Sequence, residues 1–472
     1  MAKTFFFYDL ETSGLNPRED RIMQFAGQRT DMELNPIGEP MDILVKLNDD
    51  TLPSPDALRV TGIMPQKTVD EGYSEAEFAK ILIEEVFTPD TIAVGFNNIR
   101  FDDEFIRYLL WRNFYDPYEW SWRDGRGRWD LLDVIRMTLA LRPEGIEWPF
   151  TVEGVPTNRL ELITKLNGIS HEAAHDALSD VTALIDVTRL VKEKQPQLYT
   201  YLLSIKDKNE IKKLVNLDDK RPFVYSSGKY ENEYMKTTVA FPLTSGRNGN
   251  TIVYDLRHDP TDFVAMSAEE ISKSLTAPYE ERKKEGFRKI PIKELQYNRS
   301  PAVAPLGVLE QGNGWAKLQL DSKTIEKHRN ILLGAPHFAE SIRTARESMP
   351  AFAAGTDPEA QLYEGFLSDR DKLRVDAVRN ASERELSDFH PEFADERLGP
   401  LLLHYKARNY PFTLAESETI SWEEWRAARI AAQIPSFMKS LQRIMTEDHE
   451  GKNQYLVSEL QLWLESVMPA EY

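Results

Sequence analysis

Residues Lys3–Asp9 read KTFFFYD, an aromatic run closed by an acid. This is the pattern of a short strand buried on both faces. Further apolar runs continue the theme. Met23–Thr30 and Met41–Leu47 are predicted strands, Phe78–Val86 a helix, and Ile92–Phe96 (IAVGF) another buried strand. Helical patterns follow at Asp103–Asn113, Leu131–Leu141, Arg159–Asn167 and Asp176–Lys194. Strands first and helices closing the unit predict an α/β domain with a mixed sheet. The run from Thr4 to Tyr8 is too short for a signal peptide or a membrane span, so a soluble, cytoplasmic protein without membrane association is expected.

Length predicts more than one such domain. At roughly 150 residues per domain, a chain of 472 residues holds about three. Gln195-Pro196 ends the last helix of the first, which is assigned residues 1–194. Residues 196–348 change character. Phe223–Ser226, Thr237–Pro242 and Thr251–Leu256 are β-type, with a turn at Gly246–Gly249, a helical insert near Ala268–Leu275 and a basic, poorly periodic loop at Glu281–Lys293. Residues 350–472 read as helical, including Trp422–Ile434 and Leu456–Val467. The chain has no cysteine, which excludes disulfides, zinc-thiolate sites, iron–sulfur clusters and thiol nucleophiles. Its formal charge of −19 confines any nucleic-acid site to a local groove.

Three clusters carry candidate chemistry. Asp9 and Glu11, two apart at a strand end, point to one face of the sheet. Crowded carboxylates repel unless a cation lies between them, and a hard divalent ion binds such groups. After the strand ending at Phe96 comes Asn97–Glu104, where Asp102 and Asp103 both fit the inward face of the following helix and spacing does not choose between them. The third cluster is His171–Asp180 (HEAAHDALSD). There Asp180 lies at the edge of the buried stripe Ala177, Val181, Leu184, Thr188 and Val191. His171/Asp176 and His175/Asp180 have the same spacing, so a histidine-to-acid rule is ambiguous.

Asp9-x-Glu11, Asn98-x-x-Phe101-Asp102 and His175-Asp176-Ala177-x-x-Asp180 together resemble the three motifs of the DEDD exonuclease family with a histidine in the last motif. Asn113–Tyr118, Trp129–Val134, Leu141–Ile146, Gln361–Phe366 and Ala407–Pro411 are similar to the bacterial exonuclease I branch of that family. The resemblance implies a ribonuclease H-like nuclease domain, an SH3-like β-rich domain and a helical C-terminal domain closing a channel. It implies a processive 3′→5′ exodeoxyribonuclease on single-stranded DNA, yielding 5′-mononucleotides in repair and recombination. Asp9, Glu11, Asp102 and Asp180 become ligands of two Mg²⁺ ions, which Mn²⁺ can replace, and His175 the general base. The implied partners are single-stranded DNA and the acidic, hydrophobic tail of single-stranded DNA-binding protein, with a monomeric enzyme.

The substrate side has its own signal. Between Phe105 and Arg142 aromatics interleave with arginines, and five of the nine tryptophans fall in 111–148. Aromatic faces stack on unpaired bases while arginines track phosphates. Phe105 and Tyr108 read as helix core, whereas Tyr118 and Trp122, in a turn-rich stretch, read as binding residues. The family's DNA path carries Glu11, Arg107, Tyr118, Trp122, Arg136, Arg142, Arg159, Tyr201 and Lys208 onto this chain, with Arg142 and Tyr201 also candidates for the partner tail. An exoribonuclease of the same superfamily and a non-catalytic strand-binding protein are the rival readings.

Overall fold

The computed structural model describes residues 2–171, 176–349 and 355–469. The chain forms two compact units, one of Met1–Arg128, His171–Leu184 and Ala353–Tyr472, the other of Trp129–Ser170 and Ile185–Phe352. The nuclease-like and C-terminal segments thus share a unit, and neither unit follows a single stretch of sequence.

β1 (Thr4–Thr12), β2 (Ile22–Thr30), β3 (Met41–Leu44), β4 (Thr91–Gly95) and β5 (Gly127–Asp130) form a sheet of order β3-β2-β1-β4-β5. β1 is antiparallel to β2 and parallel to β4, so the sheet is mixed. The central strand is longer than KTFFFYD suggested, because pairing with β2 carries it through Asp9 (opposite Ala26) and Glu11 (opposite Gln24). Alternation along β1 sends Phe6, Tyr8 and Leu10 into a core with Phe25, Phe78, Leu82 and Phe105. Phe5, Phe7, Asp9 and Glu11 therefore share the opposite face.

Helix α1 (Asp102–Arg112) follows β4 through a left-handed residue, Asn97 (φ 69°). Helix α2 (Leu131–Leu141) follows β5, and α3 (Ala177–Lys194) brings Asp180 in its first turn. The C-terminal segment contributes α4 (Leu398–Asn409), α5 (Glu416–Glu447) and α6 (Gln454–Val467). Ile430, Phe437, Leu441 and Leu460 from these helices pack with Met23, Leu47 and Leu58 of the N-terminal segment.

The second unit holds an antiparallel sheet of order β10-β6-β7-β8-β9, from β6 (Phe223–Ser226), β7 (Thr237–Ser245), β8 (Thr251–Asp255), β9 (Ile292–Leu295) and β10 (Ala302–Pro305). Two of these differ from expectation. The stretch 281–293 ends in strand β9, and β10 follows it; each is four residues long, and each pairs with a partner distant in sequence. Helices at Ser322–Leu333 and Pro336–Glu347 also add to what was read as a β-rich segment. Among the described residues no helix is long and apolar enough to cross a membrane.

Candidate active site

The acids of β1 and α3 meet. Carboxylate oxygens of Asp9, Glu11 and Asp180 all lie within 4.8 Å of one another. Alternation puts Asp9 and Glu11 on one face of β1, and Asp180 faces them because Ala177, Val181 and Leu184 bury the adjoining stripe of α3. Burial and the neighbouring Asp180 push the Asp9 carboxyl up to about 7. Burial, then Asp9, Asp180 and Asp176, push Glu11 up to about 8. Burial and mutual repulsion thus favour the protonated forms of both groups, and a cation held between them would favour the carboxylates. Three hard oxygen donors without sulfur fit a divalent cation of the Mg²⁺ type.

Asp102 and Asp103, equivalent by spacing, differ in place. Asp103 is fully buried and engaged: it accepts hydrogen bonds from Tyr8 Oη and Asn98 Nδ2 (3.4 Å) and pairs with Arg128 Nη1 at 2.6 Å. Asp102, 4% exposed, is the first residue of α1. Its carboxylate is not among the three gathered above. His175 lies outside the described residues. The other histidine of the motif, His171, is buried and contacts the Asp180 carboxylate through Nε2, a partnership sequence spacing did not suggest.

Beyond the acids in the same unit, Arg107 pairs with Glu104 (3.0 Å), donates to Tyr363 Oη (3.2 Å) and lies over the Tyr118 ring at 5.6 Å. Tyr118 is half-buried, 5.9 Å from Phe366 and 6.3 Å from Tyr363. Trp122 and Phe366 are 63% and 87% exposed. Tyr363 and Phe366 were not singled out as binding residues, because their partner Tyr118 is remote in sequence; the signal was Gln361–Phe366, noted only as a motif. Phe105 and Tyr108 are core, as read, and so are Trp111, Phe114, Trp120 and Trp129. Several arginines of the interleaved stretch serve the fold instead: Arg112 pairs with Glu75, Arg126 donates to the Phe87 carbonyl, and Arg128 holds Asp103.

In the second unit, Arg136 pairs with Asp133 at 2.7 Å. Arg142 donates to the Gln311 side chain at 3.2 Å, and Lys317 pairs with Glu144 at 2.6 Å. Arg159 is exposed and pairs with Glu161. Tyr201 donates to the Val303 carbonyl at 3.2 Å, and Lys208 is exposed.

A mixed sheet with acids gathered across its central strand and a late helix defines a metal-dependent exonuclease domain, and the family model described as Exonuclease matches residues 6–188. The models for the exonuclease I SH3-like domain and the exonuclease I C-terminal domain match residues 206–347 and 356–467. The chain belongs to the exonuclease I family. It is 40% identical to exodeoxyribonuclease I of Haemophilus influenzae over 457 residues, covering 96% of each chain. Its structure is similar to exonuclease I from Methylocaldum szegediense, with a TM-score of 0.93 at 38% identity, covering 99% of this chain and 100% of that one. Escherichia coli exonuclease I in complex with a dA16 oligonucleotide superposes with a TM-score of 0.94 at 35% identity, at the same coverage.

Proposed function

We propose that this protein is a 3′→5′ exodeoxyribonuclease that processively removes 5′-mononucleotides from single-stranded DNA, in repair and recombination. The observation that carries the reading is the convergence of Asp9, Glu11 and Asp180 within 4.8 Å. The E. coli relative was solved with a dA16 oligonucleotide, and in a zinc-bound form with single-stranded DNA, which supports both the substrate and a divalent metal.

Asp9, Glu11 and Asp180 would hold the cation, with Asp102 as a fourth ligand and Mg²⁺, replaceable by Mn²⁺, as the working pair of ions. Bound there, the ions supply Lewis-acid stabilisation of the charge that builds on the scissile phosphate and the leaving 3′ oxygen. His175 takes the proton of the attacking water, a general-base role that imidazole suits. His171 holds Asp180 in orientation through its Nε2 contact. Tyr118, Trp122, Tyr363 and Phe366 offer faces to unpaired bases beside Arg107. Arg136, Arg142, Arg159, Tyr201 and Lys208 contact phosphates. An SSB/exonuclease I structure among the relatives supports a second partner. Arg142, beside Gln311, and Tyr201 are the residues offered to its acidic tail. The residue ranges 1–194, 196–348 and 350–472 are the functional domains of a cytoplasmic monomer.

The test is a 5′-labelled single strand incubated with Mg²⁺, with EDTA, and with an Asp9→Ala variant. Labelled intermediates that shorten from the far end, only with metal and the intact acid, are expected. Shortening in EDTA, or equal cleavage of a matched RNA, overturns the reading.

A further inference from the structure

The parallel strands β1 and β4 are paired from Thr4–Thr91 to Phe7–Val94. Tyr8 and Asp9 follow directly on β1, so this ladder stops just short of the first acid of the site. On the other strand the chain leaves through Gly95 and the left-handed Asn97 into α1, whose first residue is Asp102. Phe101, at the N-cap of that helix, has no side-chain oxygen with which to cap it. Neither the β1–β4 ladder nor a side-chain cap therefore sets the start of α1 against β1.

Side chains take over where the ladder ends. Tyr8 Oη donates to Asp103 Oδ1. Asn98 Nδ2 reaches both groups, the Tyr8 oxygen at 3.2 Å and Asp103 Oδ1 at 3.4 Å. Arg128 of β5 holds the other carboxylate oxygen, Oδ2, at 2.6 Å. All of Tyr8, Asn98 and Asp103 are buried. A Cβ on Gly95 would lie 2.6 Å from the Asn98 Cβ, so glycine at the end of β4 lets Asn98 close onto β1. One carboxylate thus joins β1, the β4–α1 junction and β5. A buried ion pair carries a desolvation cost that apolar packing would avoid. What it supplies here is direction, since each oxygen of Asp103 has its own donors.

The geometry points to Tyr8 and Asp103 as positioning residues that fix the separation of Asp9 and Asp102. Each of the bonded residues is the chain neighbour of one of these acids: Tyr8 precedes Asp9, and Asp103 follows Asp102. Neighbouring Cα atoms are held about 3.8 Å apart by the planar peptide, so a shift between Tyr8 and Asp103 passes undiminished to the acids beside them. Successive residues of a strand face opposite ways. The contact can therefore be buried in the core while Asp9 stays on the face it shares with Glu11. The inference rests on the reading above, in which Asp102 joins Asp9, Glu11 and Asp180 around a cation.

The experiment measures Mn²⁺ binding to the DNA-free protein by electron paramagnetic resonance of the unbound ion. Thermal melts and binding of a fluorescent oligothymidylate in EDTA run beside it. Wild-type protein is compared with Tyr8→Phe, which keeps the ring and loses only the hydroxyl, and with Asp103→Asn. Ile430→Val, in the separate core cluster of α5, is the control for lost stability. Tyr8→Phe and Asp103→Asn are expected to weaken Mn²⁺ binding about tenfold, the lower end of what losing a supporting partner costs a metal site. Oligothymidylate binding in EDTA should stay at the wild-type level, and Ile430→Val should keep wild-type Mn²⁺ affinity. Unchanged Mn²⁺ affinity in Tyr8→Phe, or in Asp103→Asn should Tyr8→Phe not fold, overturns the positioning role alone. An equal loss in Ile430→Val overturns it too, because general stability would then set the site. Failure of the wild-type protein to bind Mn²⁺ overturns the metal reading and this inference with it.

Discussion

Asp9, held up to about 7 by burial and the Asp180 charge, and Glu11, held up to about 8 by burial and the charges of Asp9, Asp180 and Asp176, tie metal binding to pH. A cation must displace the protons these carboxyls keep, so its affinity rises as pH climbs through that range. Stability of the metal-free protein has the opposite sign. Both folded-state pKa values lie above the unfolded ones near 4, so the site's contribution is complete at low pH and is lost as pH rises to about 8. The rise in melting temperature on adding Mg²⁺ should therefore grow between about pH 6 and about pH 9. A flat or shrinking increment, read by calorimetry with EDTA as reference, would contradict the pairing of these acids around a cation. The neighbouring acids make a second test. Asp103 is buried among Tyr8, Asn98 and Arg128, so Asp103→Ala removes the carboxylate that all three engage and should cost about 3–5 kcal/mol of stability. Asp102→Ala should keep the fold and abolish hydrolysis; denaturant melts beside an activity assay separate the two. Spacing alone could not choose between these residues, because both fit one face of α1. The distinction lies in contacts made by Tyr8 and Arg128, remote in sequence.

At the scale of elements, the N-terminal segment and the C-terminal helices are joined by a buried ion network. Arg21 pairs with Glu359 (2.8 Å) and Asp50 (3.3 Å); Arg408 of α4 pairs with Asp50 (2.9 Å), as Arg429 of α5 does (3.2 Å); His404 meets Glu359 at 2.8 Å. Asp50 and Glu359 are fully buried, and the arginines around them hold both carboxyls well below the usual range. Stability from this pair is therefore present above the unfolded carboxylate pKa near 4 and lost as pH falls below it. Arg408→Met removes the one guanidinium that pairs with Asp50 and Glu359 from α4 and leaves both buried carboxylates under-compensated, which should cost about 3–5 kcal/mol; an unchanged urea midpoint would show the network to be dispensable. Such a network is invisible to periodicity, since its partners lie hundreds of residues apart. The motif Ala407–Pro411 was noticed only by resemblance, and Arg408 gives it a physical reason. By contrast, the sequence predicts β6 and α2 with the bounds they have, because Phe-Val-Tyr and a three-turn apolar run are local signals. β9 escaped notice inside a basic stretch, for its evidence is its pairing with β8. The aromatic group Tyr118, Tyr363 and Phe366 was likewise half legible. Phe366→Ala should weaken single-strand binding by about 1–3 kcal/mol, one base stack, with the fold intact by circular dichroism.

At the scale of the whole molecule, a formal charge of −19 sets the problem of how such a chain holds a polyanion at all. Bulk electrostatics would repel DNA, and screening by salt would reduce that repulsion. Grip must come from local cations and from stacking, of which only the cationic part weakens as salt rises. Affinity is then expected to fall with salt less steeply than the number of lysines and arginines in the binding stretch would suggest, because Arg112, Arg126 and Arg128 already serve the fold. Processive digestion adds a kinetic requirement, since the strand must advance many times before it leaves. A 5′-labelled strand, bound first and then started with Mg²⁺ together with excess unlabelled trap, measures this directly. Enzyme molecules already bound should shorten their strands far down without exchange, and raising the salt should reduce how many strands are engaged more than how far each is cut. If intermediates instead stop within the first few nucleotides once trap is present, each hydrolytic step ends in release. The stacking faces around Tyr118 would then guide the strand without retaining it.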